Sequence, residues 1–510
     1  MASLTSRVER IARSEPERRA VACGEQRIDY GTLWAQANAF AAFLRNSGIV
    51  DGDRVALILP NGIEAIVACY GSWLAGAVIV PLNAQARARD LEPWLRHCEA
   101  RCVVHESGHG DAESALAALE LPPLRVATGT GEATPGTIAW QTAVETMATP
   151  AATTAEPADL AMILYTSGTT GAPKGVMLGH AGLAANVDSI IDYLELDRND
   201  SIVSVLPFYY SYGASVLHTH LAVGGFLVIE PNLVFPHMIV ETMARERVSG
   251  FSGVPSTFLL LLNRVPLADH DLSSLRYVTQ AGGAMAPATT QRLQQALPQV
   301  RIFIMYGQTE ATARLTWLPP QKLVEKSGAV GIPIPGVELV VRREDGQLAE
   351  PFEVGEVHAR GPNLMLGYWR NPDATAAVLS EGWLKTGDMG HLDSDGYLFL
   401  SGRRSDMIKT GAHRVHPKDV EEVIAELPAI AETAVVGIDD DTLGQVIKAF
   451  IVVSTEQSLT VNQVKAHCRD RLAAYKIPKH IEFVDALPKT ASGKIRRAEL
   501  IATTEPREVS

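Results

Sequence analysis

The 510-residue chain is poor in cysteine, with five in all: Cys23, Cys69, Cys98, Cys102 and Cys468. They are too few and too scattered for a disulfide framework. Cys98 and Cys102 lack CxxC spacing and a matching histidine pair, which argues against zinc. A reducing, cytoplasmic compartment is the simple expectation. Basic charge is also short: Lys and Arg number 45 against 58 Asp and Glu, for a net charge of −13. Such a surface disfavours non-specific binding of nucleic acid or anionic membranes. The stretch 403–510 is neutral, so residues 1–402 carry the whole excess, and the basic residues of the last fifth are free to face a phosphate-bearing ligand. Long apolar runs are missing too. The uncharged, largely apolar run at residues 65–82 contains Gly71, Gly76 and Pro81. It reads as a buried helix leading into a strand and not as a membrane span. The first twenty residues are charged throughout and lack the apolar core of a secretory signal. No internal repeat or heptad pattern is present. What remains is a globular composition, 46% hydrophobic and 20% charged, with length for several domains.

Strand and helix patterns alternate along the first part of the chain. Residues 28–46 carry apolar positions at helical spacing. Residues 53–59, 77–80 and 102–105 are short β-type runs. This alternation predicts an α/β fold with a largely parallel sheet. Residues 148–158 read as a loop, residues 160–165 as a strand, and the alternation continues to about residue 315. From residue 330 short glycine-punctuated strands (VELVVR, GEVHARG, GYLFLSG) predict a β-rich subdomain over about 325–402. After the polar break at 402–406 come helices over 418–426 and 461–473 and strands TAVVGI, IKAFIVV and HIEFV. This α+β pattern is long enough for a domain of its own, over 403–510.

The strongest local signal is YTSGTTGAPKG, Tyr165 to Gly175. Three glycines permit close backbone approach to a ligand, while hydroxyls, N–H groups and Lys174 can meet phosphate oxygens. It is not a Walker A loop, because no Gly-Lys is followed by Ser or Thr. Read alone, it is a phosphate-binding loop or a flexible linker. The stretch resembles the phosphate-loop signature of the AMP-forming adenylate superfamily of acyl-CoA synthetases, aryl-CoA ligases and adenylation domains. Four more stretches resemble that family's motifs in order: MYGQTE (305–310), WLKTGD (383–388), SGR with DMIK (401–409) and PKTASGK (488–494).

The resemblance implies a large N-terminal adenylation domain (1–402) of two α/β subdomains plus the β-rich one, and a small mobile C-terminal domain (403–510). It implies an enzyme that joins a fatty or aryl acid to a thiol through an acyl-adenylate, with ATP, Mg²⁺ and CoA as cofactors. An acyl carrier protein bearing phosphopantetheine is the alternative acceptor. Thr166, Ser167, Gly168, Thr169, Thr170, Gly171 and Lys174 would cradle the β- and γ-phosphates. Glu310 would hold Mg²⁺, Thr309 would touch the α-phosphate, and Asp388 would accept the ribose hydroxyls with Arg403 and Lys409 beside the nucleotide. Gly282, Gly283 and Ala284, with Tyr306 and Gly307, would form the adenine slot. Lys494 would bridge carboxylate and α-phosphate as charge develops. With Glu310 and Thr166 it forms the implied catalytic set.

Acid and acceptor are less sharply defined. Residues 207–213 (PFYYSYG) resemble the family's aromatic gate, with Tyr210 where many CoA ligases carry His. Ser211 stands where amino-acid-activating relatives place Asp, which argues against an α-amino acid. Tyr212, Val216, Val254, Gly282 and Met285 are the expected lining of an apolar acyl pocket. Ser405 occupies the hinge position. Gly411, Ala412 and His413 fall on the implied thiol tunnel, with Ala412 replacing a common glycine. His218 and His220, expected at a helix start, lack a third ligand for a metal. An amide-forming synthetase and a catalytically degenerate nucleotide-binding protein are the remaining readings; a homodimer is compatible with this domain layout.

Overall fold

The computed structural model describes residues 2–129, 134–145, 160–166, 174–230, 235–411, 413–440, 443–454, 459–490 and 495–503. The expected loop at 148–158, the core of the phosphate loop at 167–173, Ala412 and Lys494 lie outside the described residues.

Four sheets organise the described chain. In the first, strands Ser201–Ser204, Phe226–Ile229, Gly250–Gly253, Tyr277–Gln280 and Arg301–Tyr306 run parallel, with Arg19–Cys23 parallel to Phe226–Ile229. Its edges turn antiparallel at Gln26–Asp29 and at Thr316–Leu318. In the second, Arg54–Ile58, Val78–Pro81, Ala100–Glu106 and Leu124–Thr128 run parallel, and Leu160–Thr166 folds back on Lys174–Gly179 as an antiparallel pair. The parallel strands are buried on both faces, which explains their continuous apolar runs. The third sheet is the antiparallel set Glu338–Arg342, Gly355–Arg360, Trp383–Leu392 and Leu398–Arg403 with the short Leu379–Ser380. The fourth, in the last fifth of the chain, centres on the antiparallel ribbon Ile430–Asp440 with Gly444–Val453.

The helices Tyr30–Asn46 and Ile63–Leu74 pack tightly within the main core. A Cβ at Gly71 would stand 2.8 Å from the Ala37 carbonyl, so only glycine lets the two backbones approach this closely. Trp73, fully buried, donates its indole N–H to the Ala161 carbonyl at 2.8 Å and so ties this helix to the second sheet. Local signals set the boundaries. Residues 28–46, expected as one helix, divide: Asp29 accepts the Thr32 N–H at 2.7 Å as N-cap, and the chain before it pairs as a strand. The helix expected over 461–473 runs only Val461–Arg469, opened by a Thr460–Gln463 capping box and followed by a short 3₁₀ turn, Ala474–Lys476. No helix among the described residues is long and apolar enough to cross a membrane.

Candidate active site

In an open parallel sheet the carboxyl ends of the strands form the crevice where ligands bind. At that end of the first sheet lie Tyr210–Tyr212 after strand Ser201–Ser204, Val254 after Gly250–Gly253, Gly282–Met285 after Tyr277–Gln280, and Gly307–Glu310 after Arg301–Tyr306. Sequence-distant motifs therefore meet at one rim.

The first cluster centres on a buried carboxylate. Asp388, from strand Trp383–Leu392, is 7% exposed. The Tyr306 hydroxyl donates to its Oδ2 at 2.6 Å, and Arg403 Nε pairs with its Oδ1 at 2.8 Å. Register explains the second contact, since Asp388 and Arg403 are directly opposed in the antiparallel ladder. Arg403 also donates to the Thr386 carbonyl at 3.0 Å, while the Asp388 N–H is capped by Thr386 Oγ1 at 3.1 Å. Burial, and then the Asp388 charge, push the Tyr306 phenol well above its ordinary value, so it stays a donor. A carboxylate fixed from both sides is suited to accepting hydroxyl protons from a sugar.

The second cluster joins Glu310 to the paired strand ends Thr166 and Lys174 that flank the expected phosphate loop. Thr166 and Lys174 face each other in the hairpin that closes residues 167–173. The short strand Gly367–Tyr368 adds to it through Tyr368 opposite Val176, and the Trp369 N–H reaches the Gly175 carbonyl at 2.7 Å. Tyr368 then donates its hydroxyl to Glu310 Oε1 at 2.9 Å, and Lys174 Nζ lies 5.8 Å from the centre of the same ring. Glu310 is further held by its carbonyl, which accepts the Met365 N–H at 2.8 Å. Gly307 is required by close approach: a Cβ there would stand 2.7 Å from the Ala313 carbonyl carbon and 2.8 Å from Arg314 Cα. Asn363, 1% exposed, pins the far side of this loop through bonds to the Ala311 and Arg314 carbonyls at 3.0 and 2.7 Å.

Among the described residues no group of three or more His, Cys, Asp or Glu could cage a metal. One carboxylate near the ends of the expected phosphate loop nevertheless fits Mg²⁺, which binds through one or two carboxylates plus phosphate oxygens and retains water. His218 and His220 do not sit at a helix start. They occupy the eighth and tenth positions of helix Ser211–Val223, fully enclosed. His218 Nδ1 lies 3.2 Å from the Tyr70 hydroxyl, and His220 Nε2 lies 2.7 Å from the Tyr277 hydroxyl. Burial pushes their ring pKa values down to about 3 and about 4.

Ser211, Tyr212, Val254, Gly282 and Met285, the expected acyl side, follow three strands of the same sheet. Ser211 Oγ lies 3.4 Å from Thr309 Oγ1, so the aromatic-gate segment touches the YGQTE loop. Gly282 adopts φ +85°, and a Cβ on it would press on Val254 Cγ1 at 3.1 Å. Val216 is buried one turn deeper in the helix. Tyr212, expected in an apolar lining, also carries a bonded hydroxyl. Its hydroxyl, 2.9 Å from both the carbonyl and Oγ1 of Thr279, is committed to a buried polar chain that continues to Ser252 Oγ at 2.7 Å. Tyr210 and Tyr209 pack ring to ring at 4.6 Å.

No described contact joins Lys409, Gly411 or His413 to Glu310, Asp388 or Ser211. Lys409 is exposed on strand Ile408–Thr410, and His413 stacks on Tyr475 at 3.9 Å. Ser405 lies in the 3₁₀ turn Arg404–Asp406 with its hydroxyl 3.1 Å from Asp406 Oδ1. Sequence reasoning missed Tyr368 and Thr386. Thr386 stood inside a motif already singled out, whereas nothing local marks Tyr368.

Comparisons with known proteins define the family. The model of the AMP-binding enzyme family matches residues 8–369, and that of the AMP-binding enzyme C-terminal domain matches 419–494. A long-chain-fatty-acid–CoA ligase of Bacillus subtilis (strain 168) is 29% identical, covering 95% of this chain and 92% of its own. A feruloyl-CoA synthase of Amycolatopsis sp. is 32% identical, with 96% and 97% covered. An anthranilate CoA ligase solved in complex with anthranoyl-AMP superposes with a TM-score of 0.92 at 27% identity, over 99% of this chain and 97% of that one. The chain belongs to the AMP-binding enzyme family, within the AMP-forming adenylate superfamily. It is an enzyme of the AMP-forming acid ligase class.

Proposed function

We propose that this enzyme activates a fatty or aryl carboxylic acid with ATP, releasing pyrophosphate, and passes the acyl group to the thiol of CoA. The observation that carries the reading is the meeting at one sheet rim of the Tyr306–Asp388–Arg403 cluster with the Glu310–Tyr368–Lys174 cluster. The first suits a ribose, the second a polyphosphate, and Ser211 with Thr309 lies between them. A carboxylate bound there would attack the α-phosphorus in line with the departing pyrophosphate.

In this account Asp388 holds the ribose hydroxyls and Arg403 fixes the Asp388 rotamer. Thr166 to Lys174 carry the β- and γ-phosphates. Glu310 would hold Mg²⁺, which would supply charge neutralisation of the phosphate oxygens. Tyr368 keeps Glu310 in place. Lys494 stabilises charge on the carboxylate and α-phosphate only as the new bond forms, which speeds the step instead of merely tightening binding. The acid oxygen bonds to phosphorus and the bridging oxygen leaves with pyrophosphate. The thiol then attacks the acyl carbon, and AMP leaves with the oxygen that the acid contributed. The two half-reactions need different surroundings, so residues 403–510 would swing about Ser405, withdraw Lys494 and bring Gly411 to His413 to the thiol. Enzyme, ATP, Mg²⁺, CoA and a panel of fatty and aryl acids, followed by mass spectrometry, test this directly. A new acyl-CoA supports the reading; acyl-AMP without thioester contradicts CoA as the acceptor.

A further inference from the structure

His97 lies in the last turn of helix Ala88–Cys98, far from the motifs in sequence, yet it is tied to both strands of the hairpin that carries the expected phosphate loop. Its Nδ1 lies 2.8 Å from the hydroxyl of Tyr165, the residue before Thr166. Its carbonyl accepts the Trp369 indole N–H at 3.0 Å, and the Trp369 backbone N–H in turn reaches the Gly175 carbonyl at 2.7 Å. Tyr165 and Gly175 are directly opposed in the ladder, one step before the Thr166–Lys174 pair that flanks residues 167–173. One residue of a remote helix thus fixes the hairpin on both sides, immediately below the loop.

The contact is more than packing. Tyr165 stacks on Trp94 at 5.9 Å and 21°, which a phenylalanine would do as well. The hydroxyl adds the His97 bond and a longer one, 3.3 Å, to the Trp94 carbonyl. Burial, and then the Arg370 charge, lower the His97 pKa, which favours a neutral ring whose Nδ1 can accept from the phenol. The helix end is itself anchored. Arg54 donates to the Cys98 carbonyl at 2.7 Å, and Glu99 pairs with Arg54 at 3.2 Å and with Arg370 at 2.6 Å. The hairpin has no slack either: a Cβ at Gly175 would stand 2.8 Å from Ile163 Cγ2 and 3.3 Å from Trp369 Cβ. Tyr368, next to Trp369, holds Glu310, so the same segment reaches the expected metal carboxylate.

We propose that His97 is a positioning residue for the polyphosphate of ATP: its Nδ1 braces Tyr165 and its carbonyl braces Trp369, so that the base of residues 167–173 is set before the nucleotide arrives. This rests on the ligase reading above and deepens it. Setting a binding segment in advance raises affinity by cutting the ordering cost of binding. The benefit falls on the β- and γ-phosphates, because AMP has none to offer the loop.

The test compares calorimetric titrations with α,β-methylene-ATP plus Mg²⁺ and with AMP. His97→Phe keeps a ring and loses the acceptor. It should weaken α,β-methylene-ATP by about 3- to 10-fold and leave AMP unchanged. In turnover, KM for ATP should rise while KM for the acid stays. His97→Asn, whose amide can stand in for Nδ1, should recover most of the affinity. Tyr165→Phe should match His97→Phe, and the double variant should bind no more weakly than either alone. Equal weakening of both nucleotides, unchanged binding of α,β-methylene-ATP in His97→Phe, or fully additive losses overturn the proposal. The wild-type protein gives a reading that needs no variant: hydrogen exchange over residues 94–98 should slow with α,β-methylene-ATP and not with AMP, and an identical response to the two overturns it as well. A wild-type protein that binds neither nucleotide counts instead against the ligase reading, and the proposal falls with it.

Discussion

Replacing Asp388 by Asn removes one charge and almost no volume. In the structure that charge is 7% exposed, fixed by Tyr306 at 2.6 Å and by Arg403 at 2.8 Å. If Asp388 accepts the ribose hydroxyls, Asn exchanges charge-assisted hydrogen bonds for neutral ones and leaves Arg403 facing an uncharged amide. Hydrogen bonds to charged groups contribute about 1.5–3 kcal/mol, which corresponds to a Kd for ATP weaker by roughly 10- to 150-fold. Calorimetric titration with ATP and with 2′,3′-dideoxy-ATP separates the ribose contact from general damage. The wild-type protein should bind ATP better than the dideoxy analogue by about that factor, and Asp388→Asn should bind the two alike. Tyr306→Phe, which spares the charge, should retain discrimination. Unchanged ATP binding in Asp388→Asn, or a wild-type protein indifferent to the missing hydroxyls, would refute the assignment of this cluster to ribose.

Gly307→Ala places a methyl within 2.8 Å of Arg314 Cα, so the YGQTE loop must shift; adenylation should fall at least about tenfold with a small drop in Tm, as expected for overpacking. Glu310→Gln should lower pyrophosphate release by about 10²-fold or more and flatten its Mg²⁺ dependence, while circular dichroism stays unchanged. His218 and His220, with folded pKa values of about 3 and about 4 against an unfolded value near 6.5, take up protons only on unfolding. Their contribution is therefore complete above the unfolded pKa and is lost as pH falls from about 6.5 toward 4. Its slope should approach ~1.4 kcal/mol per pH unit for each ring. Thermal melts across that window should show a shallower acid limb in His220→Gln than in the wild type. Lys494→Ala should abolish acyl-AMP formation yet still convert supplied acyl-AMP and CoA to thioester; equal loss of both half-reactions would argue against domain alternation.

The chemistry was legible where it is local. The YGQTE stretch sets Thr309 and Glu310 just past the end of a strand and WLKTGD sets Asp388 within a strand of the β-rich region, while the α/β alternation predicts the parallel sheets. What escaped the sequence is pairing over distance. Tyr306 meets Asp388 across 82 residues and Tyr368 meets Glu310 across 58, through the registers of separate sheets that no local pattern specifies. The histidines were misplaced for a local reason. The aromatic, glycine-containing run before them resembles a loop, yet the helix already starts at Ser211 and carries His218 into the core.

The central claim is that the acid attacks the α-phosphorus of ATP and that its oxygen leaves with AMP. It is tested most directly by supplying a turned-over acid labelled with ¹⁸O in both carboxylate oxygens, together with ATP, Mg²⁺ and CoA, and weighing the nucleotide products. The account predicts AMP carrying one ¹⁸O and unlabelled pyrophosphate. Label in inorganic phosphate with ADP, or thioester formed with unlabelled AMP, would contradict it.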